Sequence, residues 1–374
     1  MKIIDILQPN LNDEIKYLVQ CFKRNEISTY GNFTKKLEIE INRIFKCKYS
    51  CAVTSGSLAL FSAYKNLGIQ DNDIVITQSY TFISTVNAIK HASATPWLFD
   101  VNKDNLCLDL EQLEEVLKKN TYKKKNFFYH KKTKKRIFGI CPVLFNGNYL
   151  DFKKLKDISK KYNLKIIIDA AGAIFSENIL KKKFNYFDAL ILSMNGNKNI
   201  TSGGGGIICS NNKKFIINTK KFVSNFTTKK KYIHTNLGLN LKLTNIHAAI
   251  GYGQIKKFIK MKQQKKQVYY LYKKKLKSNK INLLKLSKDI LPWLILINIE
   301  NYKHKKLLIN KFNKNGIRIQ NFWVPVHKQK ISKTFIQEKM INTNSIWSKI
   351  YTLPSSTNLS SKNIIKICNL INKL

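Results

Sequence analysis

Two stretches of the chain decide its fold: KIIIDAAG at residues 165–172 and ALILSMNGNK at residues 189–198. In each, a short apolar run gives way to small and polar residues, as happens where a buried strand ends in a loop. An apolar run of this length without alternation predicts a strand that is covered on both faces, which is typical of a parallel sheet. The loops that follow then lie at one edge of the sheet, where such sheets bind ligands.

The same pattern of short apolar runs and helical stretches extends from about residue 50 to residue 210. We predict strands at 51–54, 73–77, 137–140, 165–169 and 189–193, and helices at 58–67, 110–119 and 152–162. This alternation predicts an α/β fold with a mostly parallel sheet and helices on both faces. Beyond it, a helix at 245–273, short strands and a helix at 361–373 follow. We therefore predict a large domain with an N-terminal arm at 1–243 and a smaller α+β domain at 244–374.

The formal net charge is +45, and a large excess of basic residues is typical of proteins that bind nucleic acids. Only four of the 67 basic residues are arginine, however, and arginine is the better bidentate ligand of phosphates and base edges. The lysine runs at 123–125 and 181–183 instead indicate solvated loops or faces. We therefore expect no specific nucleic-acid partner.

Membrane, secretion and metal signals are all missing from the sequence. It contains no apolar run of about 18 residues and no apolar segment near its N-terminus of the kind found in signal peptides. The seven cysteines are scattered, and they do not form two Cys or Cys/His pairs at the spacing typical of a metal site. These observations predict a cytoplasmic protein with reduced thiols, no membrane contact and no metal site.

Asp169 and Lys198 are the candidate chemical groups of the two deciding stretches. A carboxylate at the end of a buried strand is costly unless a cation pairs with it, and a protonated pyridine ring is such a cation. The alternative is that Asp169 only caps the next helix. A lysine in the neighbouring loop can form a Schiff base, or it can be one of many surface lysines.

A third segment, SGS at residues 55–57, follows a predicted strand and opens a helix. Glycine permits the tight turn, and the first N–H groups of the helix then face an anion such as a phosphate. Strand–glycine–helix turns are common, so this segment alone also fits a plain capped helix.

Together with these segments, motifs along nearly the whole chain resemble the DegT/DnrJ/EryC1/StrS family of sugar aminotransferases, which depend on pyridoxal phosphate (PLP). The resemblance implies the fold of PLP-dependent transferases of fold type I, with a seven-stranded sheet. NGNK at 195–198 with the glycines at 203–206 resembles the branch that aminates UDP-linked 4-keto-6-deoxy-N-acetylhexosamines. The motifs are TYG (29–31), SGS (55–57), YTFIST (80–85), ATP (94–96), DAA (169–171), GLNLK (238–242), AAIG (248–251), WVPVH (323–327) and LP (353–354).

The resemblance implies a role for each matching residue. Lys198 matches the lysine that holds PLP as a Schiff base and then moves a proton, and Asp169 matches the partner of the ring nitrogen. The remaining implied positions serve the cofactor ring (Phe82), its phosphate (Ser57, the backbone of Leu58, and Ser193), the phosphate in the partner subunit of a homodimer (Asn240), and the substrate (Tyr30, Trp323 and His327).

The implied reaction transfers an amino group from glutamate to the C4 ketone of a nucleotide-linked sugar, with UDP as the favoured nucleotide. Gly172 departs from the family pattern, because His, Gln or Glu usually reaches the cofactor from that position. Lys242 replaces a usual arginine. Relatives that deoxygenate the sugar carry His at the lysine position, so Lys198 argues against that reaction. The departures and the charge leave one further alternative, a degenerate fold that acts as a basic binding or regulatory protein.

Overall fold

The computed structural model describes residues 3–180, 184–228, 230, 232–287 and 290–374. The strands, in chain order, are β1 (Tyr49–Val53), β2 (Ile74–Gln78), β3 (Thr95–Phe99), β4 (Thr121–Lys124), β5 (Phe127–His130), β6 (Ile137–Ile140), β7 (Lys165–Asp169), β8 (Ala189–Ser193), β9 (Gly206–Ser210), β10 (Ile281–Leu283), β11 (Ile295–Ile299), β12 (Gln320–Asn321), β13 (Ile336–Gln337) and β14 (Ile350–Leu353).

The α-helices lie between these strands and at both ends of the described chain. They are α1 (Ile15–Lys23), α2 (Phe33–Phe45), α3 (Gly56–Asn66), α4 (Ile83–His91), α5 (Leu110–Asn120), α6 (Phe152–Tyr162), α7 (Glu177–Leu180), α8 (Lys213–Phe222), α9 (Asn245–Lys256), α10 (Phe258–Lys275), α11 (Tyr302–Lys314), α12 (Ile341–Ile346) and α13 (Ser361–Asn372). Short 3₁₀ helices lie at Phe145–Gly147, Val326–Lys328, Lys330–Thr334 and Trp347–Lys349.

The large sheet has the strand order β1-β9-β8-β7-β6-β2-β3-β13. Strand β9 runs antiparallel to both β1 and β8, whereas the pairs from β8 through β13 are parallel. The mostly parallel α/β sheet is therefore confirmed. Its seven long strands come from the first 210 residues, and the two-residue β13, which the sequence pattern did not predict, adds an eighth at the β3 edge.

Strand β7 shows how the sheet is buried on both faces. Ile166 and Ile168 point into one apolar cluster, which includes residues of α2, α5 and α6. Ile167 points into the other, which includes residues of α3, α4 and α8. Since side chains alternate along a strand, only a continuous apolar run can satisfy two cores at once. This explains why strands β7 and β8 contain no polar residue between their first and last positions.

A second sheet, β10-β11-β14-β12, is antiparallel and forms its own apolar cluster with α10, α11 and α13. This is the α+β arrangement predicted for the last third of the chain. Helix α9, however, packs on α1 and α2 of the larger layer, and β13 joins the large sheet. The division between residues 243 and 244 stays a prediction.

Some local predictions need correction or lie beyond the described residues. The helix predicted at 245–273 is divided at Lys257 into α9 and α10. Lysines 123–125 are exposed as predicted, but 123 and 124 belong to β4 of a hairpin and not to a loop. Lysines 181–183 lie outside the described residues.

The membrane, thiol and metal predictions can be compared with the described part of the chain. There, none of the helices is both long and apolar enough to cross a membrane. All seven cysteines are buried and free. These described residues contain no cluster of three or more His, Cys, Asp and Glu side chains that could hold a metal ion.

Candidate active site

The loops after β7 and β8 open onto a cavity of about 630 Å³. The first turns of α3 and α4 form one side of it, and residues near β11 and β12 of the second sheet form the other. The edge that the sequence predicted is therefore the edge at which the cavity lies. In register, Asp169 of β7 lies opposite Ile191 of β8, two residues before that strand ends.

Asp169 is buried at the cavity floor, with 4% of its surface exposed. Its Oδ2 accepts a hydrogen bond from Thr85 Oγ1 at 2.8 Å, and its Oδ1 accepts one from the Ala171 N–H at 3.1 Å. Burial raises the pKa of the carboxyl, while these two hydrogen bonds and the charge of Lys198 act in the opposite direction. A cation placed against Asp169 would therefore favour the ionised form of the carboxyl further.

Lys198 lies in the neighbouring loop and lines the same cavity. Burial lowers the pKa of its amine to about 8, and the nearby Asp169 carboxylate opposes that shift. The residue as a whole is half-buried, because one side faces the open cavity while the amine itself is enclosed. An amine with this pKa is partly neutral near pH 7.5, and only the neutral form attacks a carbonyl carbon.

The predicted phosphate segment lies at the start of α3. Ser55, Gly56 and Ser57 line the cavity, as does Ser193 at the end of β8. A Cβ on Gly56 would lie only 3.1 Å from the Ser193 Cβ, so glycine allows the helix start to approach the strand end. The N–H of Leu58 donates to Ser55 Oγ at 3.2 Å, so in this structure it completes the helix cap and leaves the open anion site to its neighbours.

An aromatic wall closes the cavity opposite the strands. Phe82 is 53% exposed and lies with its ring centroid 6.1 Å from that of Trp323. Trp323 stacks on Phe322 at 4.1 Å and lies 6.2 Å from Trp293. All four rings line the cavity, so the structure brings together Phe82 and Trp323, to which the resemblance gives separate roles at the cofactor and at the substrate.

Three predicted residues lie away from these cavity-lining groups. His327 is held by protein partners at both ring nitrogens, with Nδ1 2.6 Å from Ser79 Oγ and Nε2 2.9 Å from Asn344 Oδ1. Burial lowers the pKa of this histidine. Tyr30 is 84% exposed, and Asn240 lies exposed beside Ser224, with which it forms a β-bridge. Within one subunit these three do not contribute to the cavity.

Comparison with known proteins accounts for this arrangement. The profile of the DegT/DnrJ/EryC1/StrS aminotransferase family matches residues 10–372. The chain belongs to this family. Its members depend on PLP, and PLP is the cofactor of this chain.

Similar proteins span nearly the full length of the chain. It is 29% identical over 377 residues to a GDP-perosamine synthase of Escherichia coli O157:H7, covering 100% of this chain and 99% of the relative. It is also 29% identical over 360 residues to a UDP-4-amino-4,6-dideoxy-N-acetyl-beta-L-altrosamine transaminase of Campylobacter jejuni, covering 93% and 91% of the two chains. The structure of Helicobacter pylori PseC, an aminotransferase of pseudaminic acid biosynthesis, has a similar fold, with a TM-score of 0.88 at 21% identity and coverage of 100% and 99%.

The cavity residues fit PLP. A buried carboxylate, a half-buried lysine of lowered pKa and a helix N-terminus with serine hydroxyl groups face one cavity, as a ring nitrogen, an aldehyde and a phosphate would require. A volume of about 630 Å³ lies within the usual range for cofactor and ligand sites, which is roughly 300–1,000 Å³.

Trp293 is a cavity residue that sequence reasoning missed. It is buried, lines the cavity, and places its ring 3.6 Å from the Lys198 Nζ. It also lies against Gly172, the departure that the sequence did reveal, because a Cβ there would be 3.2 Å from Trp293 Cε3. The glycine was the available signal, since a missing side chain in a cavity leaves space for another residue to fill.

Proposed function

We propose that this family member transfers an amino group from glutamate to the C4 ketone of a nucleotide-linked 4-keto-6-deoxy sugar. The observation that supports this most directly is that Lys198 and Asp169 face one cavity from neighbouring strand ends, each with a pKa shifted mainly by burial. Perturbed groups that share a cavity are typical of active sites.

In this proposal Lys198 holds the cofactor and later carries the proton. Its pKa of about 8 provides neutral amine for attack and ammonium for proton donation within one pH unit of neutrality. When bound, PLP supplies an aldehyde that condenses with amines and a ring that accepts electrons. Asp169 would hold the ring nitrogen protonated, and that cation would in turn offset the cost of the buried carboxylate.

The overall reaction needs no oxidant or metal. The carbon of glutamate that bears the amino group becomes a ketone, and the sugar ketone carbon becomes a carbon that bears an amine. Electrons lost by the donor are therefore gained by the acceptor. Lys198 would release and return the proton at the reacting carbon, and the aromatic wall would exclude water from the cavity.

The choice of nucleotide rests on the sequence motifs and on the relatives. NGNK at 195–198 favours a UDP-linked N-acetylhexosamine, in agreement with the UDP-linked sugar named in the C. jejuni transaminase. The perosamine synthase at 29% identity supports a GDP-linked sugar as second candidate. We propose that Trp323 contacts the sugar, since it lines the cavity at the aromatic wall.

We further propose a homodimer in which each subunit completes the other's site. Asn240 and Tyr30 are exposed and lie outside the cavity of their own subunit, as residues that serve a partner's site would. In this arrangement Asn240 would reach the partner's cofactor phosphate. The cytoplasmic location of the reaction stays a prediction.

The proposed function is tested with purified protein, PLP, glutamate and a panel of UDP- and GDP-linked 4-keto sugars. We expect a yellow protein that yields an amino sugar and 2-oxoglutarate. Lys198→Ala should lose both the colour and turnover, whereas the exposed control Lys153→Ala should keep both. A colourless wild type that takes up no PLP would favour the alternative of a basic binding protein.

A further inference from the structure

Trp293 forms three hydrogen bonds with groups from different parts of the chain. Its N–H donates to Asn146 O at 3.2 Å, and its carbonyl accepts a hydrogen bond from the buried Lys265 Nζ at 2.6 Å. The indole Nε1 donates to Asn197 O at 2.9 Å. A side chain held by its backbone and by its ring nitrogen keeps its ring in one place.

The position of that ring matters because of what lies against it. Asn197, whose carbonyl accepts the indole hydrogen bond, directly precedes Lys198 in the chain. The Lys198 Nζ lies 3.6 Å from the ring centroid, within the range of a cation–π contact. The same tryptophan therefore contacts both ends of the lysine, the backbone before it and the amine at its tip.

Gly172 lies against the Trp293 ring, on the loop that follows β7. A Cβ on this residue would lie 3.2 Å from Trp293 Cε3 and 3.7 Å from its Cβ, so even alanine would require the ring to move by a few tenths of an ångström. The glycine belongs to the loop that carries Asp169. Trp293 thus occupies the space between the two loops that bear the catalytic candidates.

We propose that Trp293 is a positioning residue that holds the Lys198 amine in the cavity, with Gly172 as the gap that admits its ring. This rests on the proposed role of Lys198 as the residue that binds the cofactor. The ring encloses the amine and keeps water from it, and the indole hydrogen bond fixes the loop from which the lysine extends.

The test uses the cofactor-free protein and PLP as the probe, and it measures the rate of covalent uptake by absorbance as a function of pH. Only neutral amine condenses with the aldehyde, with loss of one water, so the midpoint reports the pKa of Lys198. Trp293→Ala should raise the midpoint by about one unit, since water then reaches the amine and this gain in solvation outweighs the lost cation–π contact. Trp293→Leu also removes the ring but leaves a smaller cavity than Trp293→Ala. It is measured in place of the alanine variant if the alanine variant does not fold.

Trp293→Phe separates the two contacts, because it keeps an aromatic face and loses the indole N–H. We expect a midpoint close to that of the wild type and a roughly fivefold slower uptake, in line with the loss of one hydrogen bond. Trp347→Phe is the matched control, since Trp347 lies outside the residues that line the cavity, and it should change neither quantity.

Gly172→Ala provides an independent variant. It should slow uptake in the native background, and this effect should disappear in the Trp293→Leu background, because the atom that it meets is then absent. An unchanged or lowered midpoint in the ring-deleted variants, together with a wild-type rate in Trp293→Phe, would overturn the proposal. Covalent uptake that persists in Lys198→Ala would instead overturn the proposed function.

Discussion

Single residues in the cavity show how burial makes ordinary groups reactive. Asp169 and Lys198 would have unremarkable pKa values on a surface, but burial raises the first and lowers the second to about 8. The sequence pattern made both residues candidates, because they lie at or after the ends of apolar strands, and the resemblance to the family assigned them their roles. The pattern could not identify Trp293, which is far away in sequence and reaches Lys198 only through the packing of the second sheet on the first.

Thr85 tunes Asp169, and its removal should change the pH profile of the reaction. The Thr85 hydroxyl donates to the carboxylate and so lowers its pKa. In Thr85→Val we expect the low-pH limb of kcat to move to higher pH, because Asp169 then protonates more readily. Thr121→Val removes a similarly buried hydroxyl bond, to Leu117 O, far from the cavity, and should leave that limb in place. An identical profile in Thr85→Val would show that Asp169 does not govern the limb.

Lys265 should make stability depend on pH. It is fully buried, its amine donates to the carbonyls of Trp293 and Ser355, and burial lowers its pKa to about 7. The unfolded chain binds this proton up to about pH 10.4, so between pH 7 and 10 the group makes folding more favourable as pH rises, by up to about 1.4 kcal/mol per unit.

Lys265→Met removes this dependence. The free energy of unfolding of the wild type should therefore rise relative to that of the variant between pH 7.5 and 9. Urea unfolding at the two pH values measures it. Lys266→Met, next along the helix at an exposed position, is the control. Parallel curves for wild type and Lys265→Met would mean that the amine stays charged in the folded protein.

At the scale of elements, the strands whose bounds were predicted from the sequence all lie in the large sheet, and each is buried along most of its length. Strands β6, β7 and β8 have the same bounds as the predicted strands. Strand β9 was not predicted because it begins at Gly206, in a glycine run that resembles a loop. The hairpin of β4 and β5 was not predicted because its residues are largely lysines and aromatics. The two hairpin strands are mostly exposed or half-buried, so their sequences carry a weaker apolar signal than the strands of the large sheet.

Strands β2 and β6 are joined at their beginnings by Arg136 and Asp73, whose side chains are only 15% and 3% exposed. Arg136 Nε lies 2.8 Å from Asp73 Oδ1, and a second contact completes the fork. Arg136→Ala leaves the carboxylate buried without its partner, so we expect a loss of about 3 kcal/mol in the free energy of unfolding.

The pair of Arg43 and Glu40 offers the matched control, because Lys256 stays beside the glutamate when the arginine is removed. Its arginine side chain is 68% exposed, so Arg43→Ala should cost less than about 1 kcal/mol. Urea unfolding of both variants decides the comparison. Equal losses would mean that the Arg136 pair is solvated in solution.

At the scale of the whole molecule, the proposed sharing of sites between subunits can be measured by mixing. A Lys198→Ala subunit retains Asn240, and an Asn240→Ala subunit retains Lys198. Equal amounts, refolded together, should recover about a quarter of the wild-type activity, because half of the dimers are mixed and each has one intact site. Recovery no greater than the sum of the separate variants would place each site within one subunit.

The eighth strand of the large sheet has a consequence for how the chain is made. Ile336 and Gln337 pair with β3 from near the end of the sequence, and Val326, Phe335 and Met340 share a small apolar cluster with Val86 and Leu98. During synthesis that margin of β3 stays bare until residue 337 has left the ribosome, more than 230 residues after β3 itself. The nascent chain therefore carries an open β edge through this part of its translation, which makes that edge a place where aggregation can begin in cells.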